Sequence, residues 1–338
     1  MRRRHAEHFL ALAEEAKPHL RRHWSGQWLD RLEPEHDNLR AALDQFEASG
    51  ESDLALRLAG AMWGFWDMRG HLAEGRRRLE GALQADERPT AARAEALNGA
   101  AALAFDGGDP STARLRAEEA LALHRALGDG WGAAYSVYLL GHAALEADSM
   151  RAQRLFEESL RLFGELGDQH YTLDSTRKLA WTYESLGDSE RARAMHEENL
   201  LRARAVGNEH MVASTLGALA RYAIRDGRTE DAVPLLKESD RIGRDLGALV
   251  GTVQNLHVFA RVLAEKGPAA AAARSLSGAE ARNQEMGFKL DPFVERLDEE
   301  TMSIIRMQLD KAALAEAWEQ GRTLTLEEAA ELALAELA

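Results

Sequence analysis

The chain has 338 residues, more than one compact core usually spans, so several domains or an extended repeat architecture is expected. It contains no cysteine, which excludes disulfides, thiolate metal ligands and thiol nucleophiles and favours a reducing, cytoplasmic location. The net charge of −14 argues against direct nucleic-acid binding, and no apolar stretch reaches the roughly 20 residues of a membrane span.

Residues 1–50 are predicted to form an N-terminal helical cap or half-repeats. The start, "MRRRHAEHFLALAEEAKPHL", is read as an amphipathic helix because charged residues interrupt its apolar run. Two histidine pairs have helical spacing, His5 with His8 and His19 with His23. The second pair could hold zinc if a third ligand were supplied, but exposed histidines are the simpler interpretation. No metal or cofactor is therefore expected.

Residues 51–288 carry a repeat with a period of about 40 residues, the mark of a solenoid. A turn position recurs at Gly70, Gly108, Ala147, Gly187, Gly227 and Gly267. A small residue follows five positions later, at Gly75, Ala113, Ala152, Ala192, Ala232 and Ala272. A closing glycine recurs at Gly128, Gly167, Gly207, Gly247 and Gly287. The pattern therefore predicts two helices joined by a turn in each repeat, and about six such pairs in all.

The fourth unit shows the local reasons for this prediction. Gly187 can end the first helix in a left-handed conformation, and Asp188 can cap the second helix. Ala192 and its counterparts are expected to be small because the two helices cross there.

The segment "LAWTYESLGDSERARAMHEENL" resembles a tetratricopeptide repeat (TPR). The residues at the family's signature positions are Leu179, Ala180, Tyr183, Gly187 and Ala192. The chain departs from the family in having Thr176 at the usual Trp position, no closing Pro and a period longer than about 34. The resemblance implies an all-α fold, a TPR-like right-handed α-solenoid of about six helix pairs with helical caps.

Residues 289–338 are predicted to form the C-terminal helical cap. Thr325 with Glu328 makes a capping box for a last helix from Leu326 to Leu337. This segment and the N-terminal flank are similar to those bordering the repeats of bacterial signal-transduction ATPases and maltose-regulator-like (LuxR-type) transcriptional regulators. The chain thus resembles the C-terminal sensor part of these proteins, which implies an upstream nucleotide-binding domain in the natural protein.

Motifs for catalysis are absent from the sequence. There is no G-x-x-x-x-G-K-[ST] loop for a triphosphate and no G-x-S-x-G nucleophile elbow. Adjacent glutamates such as Glu157 and Glu158 point about 100° apart on a helix and do not form an acid–base pair. The chain is not expected to be an enzyme, and a hydrolase or metal enzyme is a remote alternative.

In repeats of this family the first helix of each pair lines the concave face, so inward positions can be projected from Gly187. The expected ligand- or partner-binding residues are Asn98, Phe105, Arg177, Trp181, Arg221, His257 and Arg261. The cations gather around Trp181, which favours a recess for a carboxylate, phosphate or acidic peptide, with the indole as a stacking platform. The alternative is that these arginines pair with acidic neighbours such as Asp174 and Glu184.

The resemblance implies a non-catalytic sensor or protein-interaction module. It would bind a small anionic inducer, a peptide or a protein partner on the concave face and so release an autoinhibited regulator. The alternative is a stand-alone TPR scaffold or adaptor protein that holds partners together without switching.

Overall fold

The computed structural model describes residues 2–22, 26–145, 147–287, 290 and 292–337, and within these ranges all regular structure is helical. The chain divides into two compact units, Met1–Met195 and His196–Ala338. In the described part of the chain, no helix is long and apolar enough to cross a membrane. The predicted all-α, TPR-like solenoid class is confirmed.

The first unit begins with three α-helices and a short 3₁₀ helix. Their bounds are α1 (Arg2–Arg22), α2 (Gly26–Leu32), the 3₁₀ helix Glu33–Glu35 and α3 (His36–Ala48). Helix pairs follow: α4 (Ser52–Met68) with α5 (Leu72–Ala85), α6 (Ala91–Asp106) with α7 (Pro110–Leu127), and α8 (Gly130–Ala144) with α9 (Ser149–Glu165). The fourth pair is α10 (Gln169–Ser185) with α11 (Ser189–Ala205), and the boundary between the units lies within α11.

The second unit holds the remaining pairs, α12 (Glu209–Arg225) with α13 (Thr229–Asp245) and α14 (Leu249–Lys266) with α15 (Ala269–Met286). Three further helices follow: α16 (Pro292–Gln308), α17 (Lys311–Arg322) and α18 (Leu326–Ala335). The six predicted pairs are therefore present between residues 52 and 286. The division into residues 1–50, 51–288 and 289–338 stays a prediction.

The turns inside the pairs follow the predicted glycine chemistry, with one difference. Gly187 has a φ of 88°, and Asp188 accepts a hydrogen bond from the backbone N–H of Arg191 at 3.2 Å, as expected of a helix cap. Gly267 instead has a φ of −121°. It precedes Pro268, and a residue before proline is driven towards extended conformations.

The small residues after each turn lie where helices touch. All of the alanines at this position are fully buried: Ala113, Ala152, Ala192, Ala232 and Ala272. At Gly75 a Cβ atom would fall 2.5 Å from Leu103 Cδ1 and 2.9 Å from Trp66 Cε3. A larger side chain would force the helices apart, so packing requires a small residue at this position of every repeat.

Helix α16 packs against α14 in the second unit, while α17 and α18 pack against α15. The predicted capping box is present: the backbone N–H of Glu328 donates to Thr325 Oγ1 at 3.2 Å, and that of Thr325 donates to Glu328 Oε2 at 2.8 Å. The last helix ends two residues earlier than predicted, at Ala335. Helix α16 covers the part of the predicted ligand-binding face that carries His257.

Candidate functional site

Polar side chains meet on the first helices of the four pairs in the first unit. The residues are Asp67 on α4, Asp106 on α6, Tyr138 on α8, and Asp174 and Lys178 on α10, and we call them the first-helix cluster. Helix α4 packs on α6, and α6 packs on α8. Successive repeats therefore bring residues together that are far apart in sequence.

The two acids Asp67 and Asp106 share a hydrogen bond between their carboxyl groups. Burial raises the pKa of both, and the charge of Asp106 raises the pKa of Asp67 well above its usual range. Lys178 opposes this rise at both carboxyl groups. Two carboxyl groups in contact cannot easily both ionise, so the pair holds a proton and Asp67 is its donor.

Asp174 is the ionised member of the cluster. It accepts a hydrogen bond from the Tyr138 hydroxyl and one of 2.8 Å from Arg177 Nε. Burial alone would raise the pKa of Asp174, but the charges of Arg177 and Lys178 and the Tyr138 hydrogen bond hold it below its usual range. This carboxylate therefore anchors three neighbours.

His142 lies beside the cluster, and its imidazole is neutral. Burial lowers its pKa well below the usual value, and the charge of Lys178 lowers it further. Its ring meets the edge of Phe105 at 4.6 Å and lies 4.5 Å from the Tyr138 ring. Its Nε2 atom is buried and has no hydrogen-bond partner among the described residues. The Nε2 atom of His142 is thus a hydrogen-bonding group beside the carboxylates that the described residues do not satisfy.

Trp181 adds a flat aromatic surface that is half-buried. The Lys178 ammonium lies 4.4 Å from the centre of its ring, and the Arg177 guanidinium carbon lies 5.3 Å from it. Such cation–π contacts hold both cations against the indole face. The cluster therefore combines both signs of charge with aromatic surface.

Some of the predicted site residues of the first unit lie at the first-helix cluster, and one does not. Arg177 and Trp181 contact members of the first-helix cluster, and Phe105 contacts His142 beside it. The expected accessibility of Asn98 is wrong, since this residue is only 2% exposed. Its amide lies 2.9 Å from His124 Nε2 and accepts a hydrogen bond of 2.8 Å from Ser136 Oγ. Asn98 faces the neighbouring helices α7 and α8 and satisfies buried polar groups there.

In the second unit the expected accessibility of His257 is also wrong, because the residue is fully buried. Helix α16 packs on α14 and places Asp298 Oδ2 2.8 Å from His257 Nδ1. Arg261 contacts Glu265 and Glu300, each at 2.7 Å. Together with the Asp174 contact of Arg177, this matches the alternative in which arginines pair with acidic neighbours. Arg221 is half-buried on α12, and its binding role stays a prediction.

Five residues at this site were not predicted from the sequence: Asp106, Tyr138, His142, Asp174 and Lys178. The available signal was chemical: in "YTLDSTRKLAW" an acid and a lysine interrupt a helix whose other positions are largely buried. Charged residues are almost never buried unless they are paired, so this pattern indicates a polar cluster.

A second group was also missed. Glu33, His36 and His71 bring one potential metal-ligand atom each to within 4.8 Å of one another. The histidines considered from sequence do not contribute to this group. His19 stacks on Trp28 with ring centres 5.0 Å apart, and His23 lies outside the described residues. Spacing along one helix could not reveal the group, because its ligands come from three separate segments.

The fold and the cluster define a class of protein, an all-α TPR-like repeat protein with a polar cluster on the first helices of its N-terminal pairs. No protein-family model and no curated protein matches the chain. Among solved structures, a Rap protein complexed with competence and sporulation factor is similar over 92% of this chain and 99% of its own, at 11% identity and a TM-score of 0.56.

Two other solved structures align at lower TM-scores. They are a putative kinesin light chain with TPR-like repeats from Podospora anserina (18% identity, 56% of this chain and 95% of that chain, TM-score 0.42) and the TPR domain of P58(IPK) (14% identity, 94% and 97%, TM-score 0.25). The similarity to the Rap structure supports the fold alone.

Proposed function

We propose that this chain is a non-catalytic recognition module that binds a peptide or an extended protein segment at the first-helix cluster. The observation that carries the proposal is the half-buried Asp67–Asp106 pair beside Lys178 and the half-buried Trp181. A peptide backbone offers both N–H donors and carbonyl acceptors, and its side chains can stack on an indole. A site with both charge signs and an aromatic face suits such a ligand.

The pairing of the cations favours a peptide over a small anionic inducer. Arg177 already donates to Asp174, and in the second unit Arg261 contacts two glutamates. An incoming phosphate or carboxylate would have to displace these acids. A peptide can instead donate to the half-buried Asp106 and stack on the half-buried Trp181, so it leaves the existing pairs in place.

The biological setting we propose is the sensor region of a signal-transduction ATPase or transcriptional regulator, with a nucleotide-binding domain upstream. The Rap protein of similar fold was solved with a bound factor, which makes recognition of a signalling factor a reasonable role for this chain as well. A stand-alone adaptor would use the same cluster. The two differ in whether binding changes the affinity of the chain for a second partner.

The test is a selection from a random peptide display library on the full chain, followed by fluorescence polarisation with the selected peptides. We expect Asp67→Asn and Trp181→Ala to weaken binding at least tenfold while far-ultraviolet circular dichroism is unchanged. Leu115→Ala is the matched control, because Leu115 is an exposed apolar residue on the second helix α7. Peptides whose affinity depends on Leu115 and is unaffected by the other two variants would overturn the proposal.

A further inference from the structure

The N-terminal helices meet the first helix pair at a group of histidines and carboxylates. The 3₁₀ helix Glu33–Glu35 leads directly into α3, which begins with His36. His71 lies just after the α4–α5 turn and is the N-cap of α5. Packing of these segments brings Glu33, His36 and His71 together, with one ligand atom of each within 4.8 Å of the other two.

The Nε2 atoms of both histidines are without a hydrogen bond in the part of the chain that the structure describes. His36 is only 6% exposed, and its Nε2 atom makes no hydrogen bond among the described residues. The Nε2 atom of His71 is also buried and makes none there. Buried polar atoms are nearly always satisfied, so two unsatisfied nitrogens at one place indicate a missing partner. A metal ion would accept the lone pairs of both.

Packing fixes the orientation of the buried ligand. The His36 ring meets the edge of the buried Phe65 ring at 5.0 Å and lies 4.5 Å from the His71 ring. Glu33 and His71 are more exposed, and the His71 Nε2 atom is 3.8 Å from Glu33 Oε1. These two side chains can therefore rotate towards His36. All three ligand atoms could then reach the distance of roughly 2.0–2.1 Å at which a metal ion is bound.

The surrounding charges suit a dication. Glu74 Oε2 lies 3.7 Å from His36 Nε2. Arg40 donates to both oxygens of Glu74, from Nε at 2.7 Å and from Nη2 at 2.5 Å. Arg40 pairs with Glu74 and Asp37, and Arg69 pairs with Glu33 and Asp30. Neither arginine is therefore an unpaired positive charge that would repel a bound cation.

We propose that Glu33, His36 and His71 form a binding site for a divalent transition-metal ion of the zinc class. Two neutral imidazoles and one carboxylate are a ligand set for Zn²⁺, whereas Ca²⁺ and Mg²⁺ prefer oxygen ligands alone. Glu74 lies beside the same His36 nitrogen, where its negative charge would favour a bound cation. The bound ion links the start of α3 to the start of α5 and so ties the N-terminal helices to the first pair.

The test is isothermal titration calorimetry of the full chain with ZnCl₂ after removal of metal with a chelator. We expect one equivalent bound with a dissociation constant at or below the micromolar range. His71→Gln and Glu33→Gln should each weaken binding at least tenfold. Glu33 is well exposed, so the second variant tests the site even if the first fails to fold. X-ray absorption of the zinc complex should show imidazole ligands.

The matched control is the double variant His5→Gln, His8→Gln. It removes two exposed histidines at helical spacing from α1 and leaves the proposed ligands intact. It should bind zinc as the unaltered chain does. Loss of binding in this control, or unchanged binding in both His71→Gln and Glu33→Gln, would overturn the proposal. Neither result bears on peptide binding at the first-helix cluster.

Discussion

Replacing Gly99 with Ala tests whether close helix contact fixes the geometry of the first-helix cluster. Gly99 lies on α6, where an added Cβ atom would fall 2.8 Å from Trp63 Cβ and 2.9 Å from both Cδ1 and Cγ. Trp63 is buried on α4, and its Cβ cannot move without the helix. The substitution should therefore push α6 away from α4 and strain the hydrogen bond between Asp106 and Asp67.

The expected magnitude combines two opposing terms. Overpacking a well-filled core costs about 1–3 kcal/mol, and contact with a rigid Cβ favours the upper end. Alanine gains about 1 kcal/mol over glycine inside a helix. The Gly99→Ala variant should thus be about 2 kcal/mol less stable than the unaltered chain.

Gly81→Ala is the matched control, because Gly81 is exposed on α5 and an added Cβ would meet nothing within 4 Å. It should gain about 1 kcal/mol from helix propensity alone. Urea unfolding followed by circular dichroism and tryptophan fluorescence measures both variants. If Gly99→Ala were stabilised as much as Gly81→Ala, the reasoning from helix contact would be refuted.

Three further variants test the charged groups and a cap. The pKa of Asp67 is raised in the folded state, so this residue lowers the free energy of unfolding as the pH rises above about 4. In urea unfolding, Asp67→Asn should therefore be more stable than the unaltered chain at about pH 8 and show no such gain at about pH 4. Asp174→Ala removes a buried acceptor from Arg177 and should cost about 3 kcal/mol by the same assay, and a loss under 1 kcal/mol would contradict this. Thr325→Ala should cost about 1 kcal/mol and speed amide exchange in α18 alone, whereas unchanged exchange there would show the capping box to be unimportant.

The repeat itself could be predicted because its requirements are local. A left-handed turn needs glycine at Gly187, and the fully buried position of Ala192 needs a small side chain, so both leave a mark at a fixed period. The capping box of Thr325 and Glu328 is equally local. These features depend on neighbours within one helix pair, which a sequence displays directly.

The candidate sites were harder to predict because they depend on contacts between distant segments. His257 has the helical position of a lining residue, but α16 packs over it, and no periodicity in the sequence reveals that packing. His36 and His71 are brought together only by the packing of α3 beside the α4–α5 turn. Helical periodicity predicts which face a residue occupies, but it does not predict what covers that face.

The half-buried acids Asp67 and Asp106 are residues that the repeat fold does not require. At the repeat position of Asp67 the other repeats carry residues as different as Phe105, Ala144 and Ile224, so the packing of helix pairs does not need a carboxyl group there. Burial beside Asp106 costs stability, and departures of this kind are expected at functional sites. The Asp67→Asn variant should therefore become more stable at neutral pH while it loses affinity for peptide. A structural role for the pair would instead make both properties fall together.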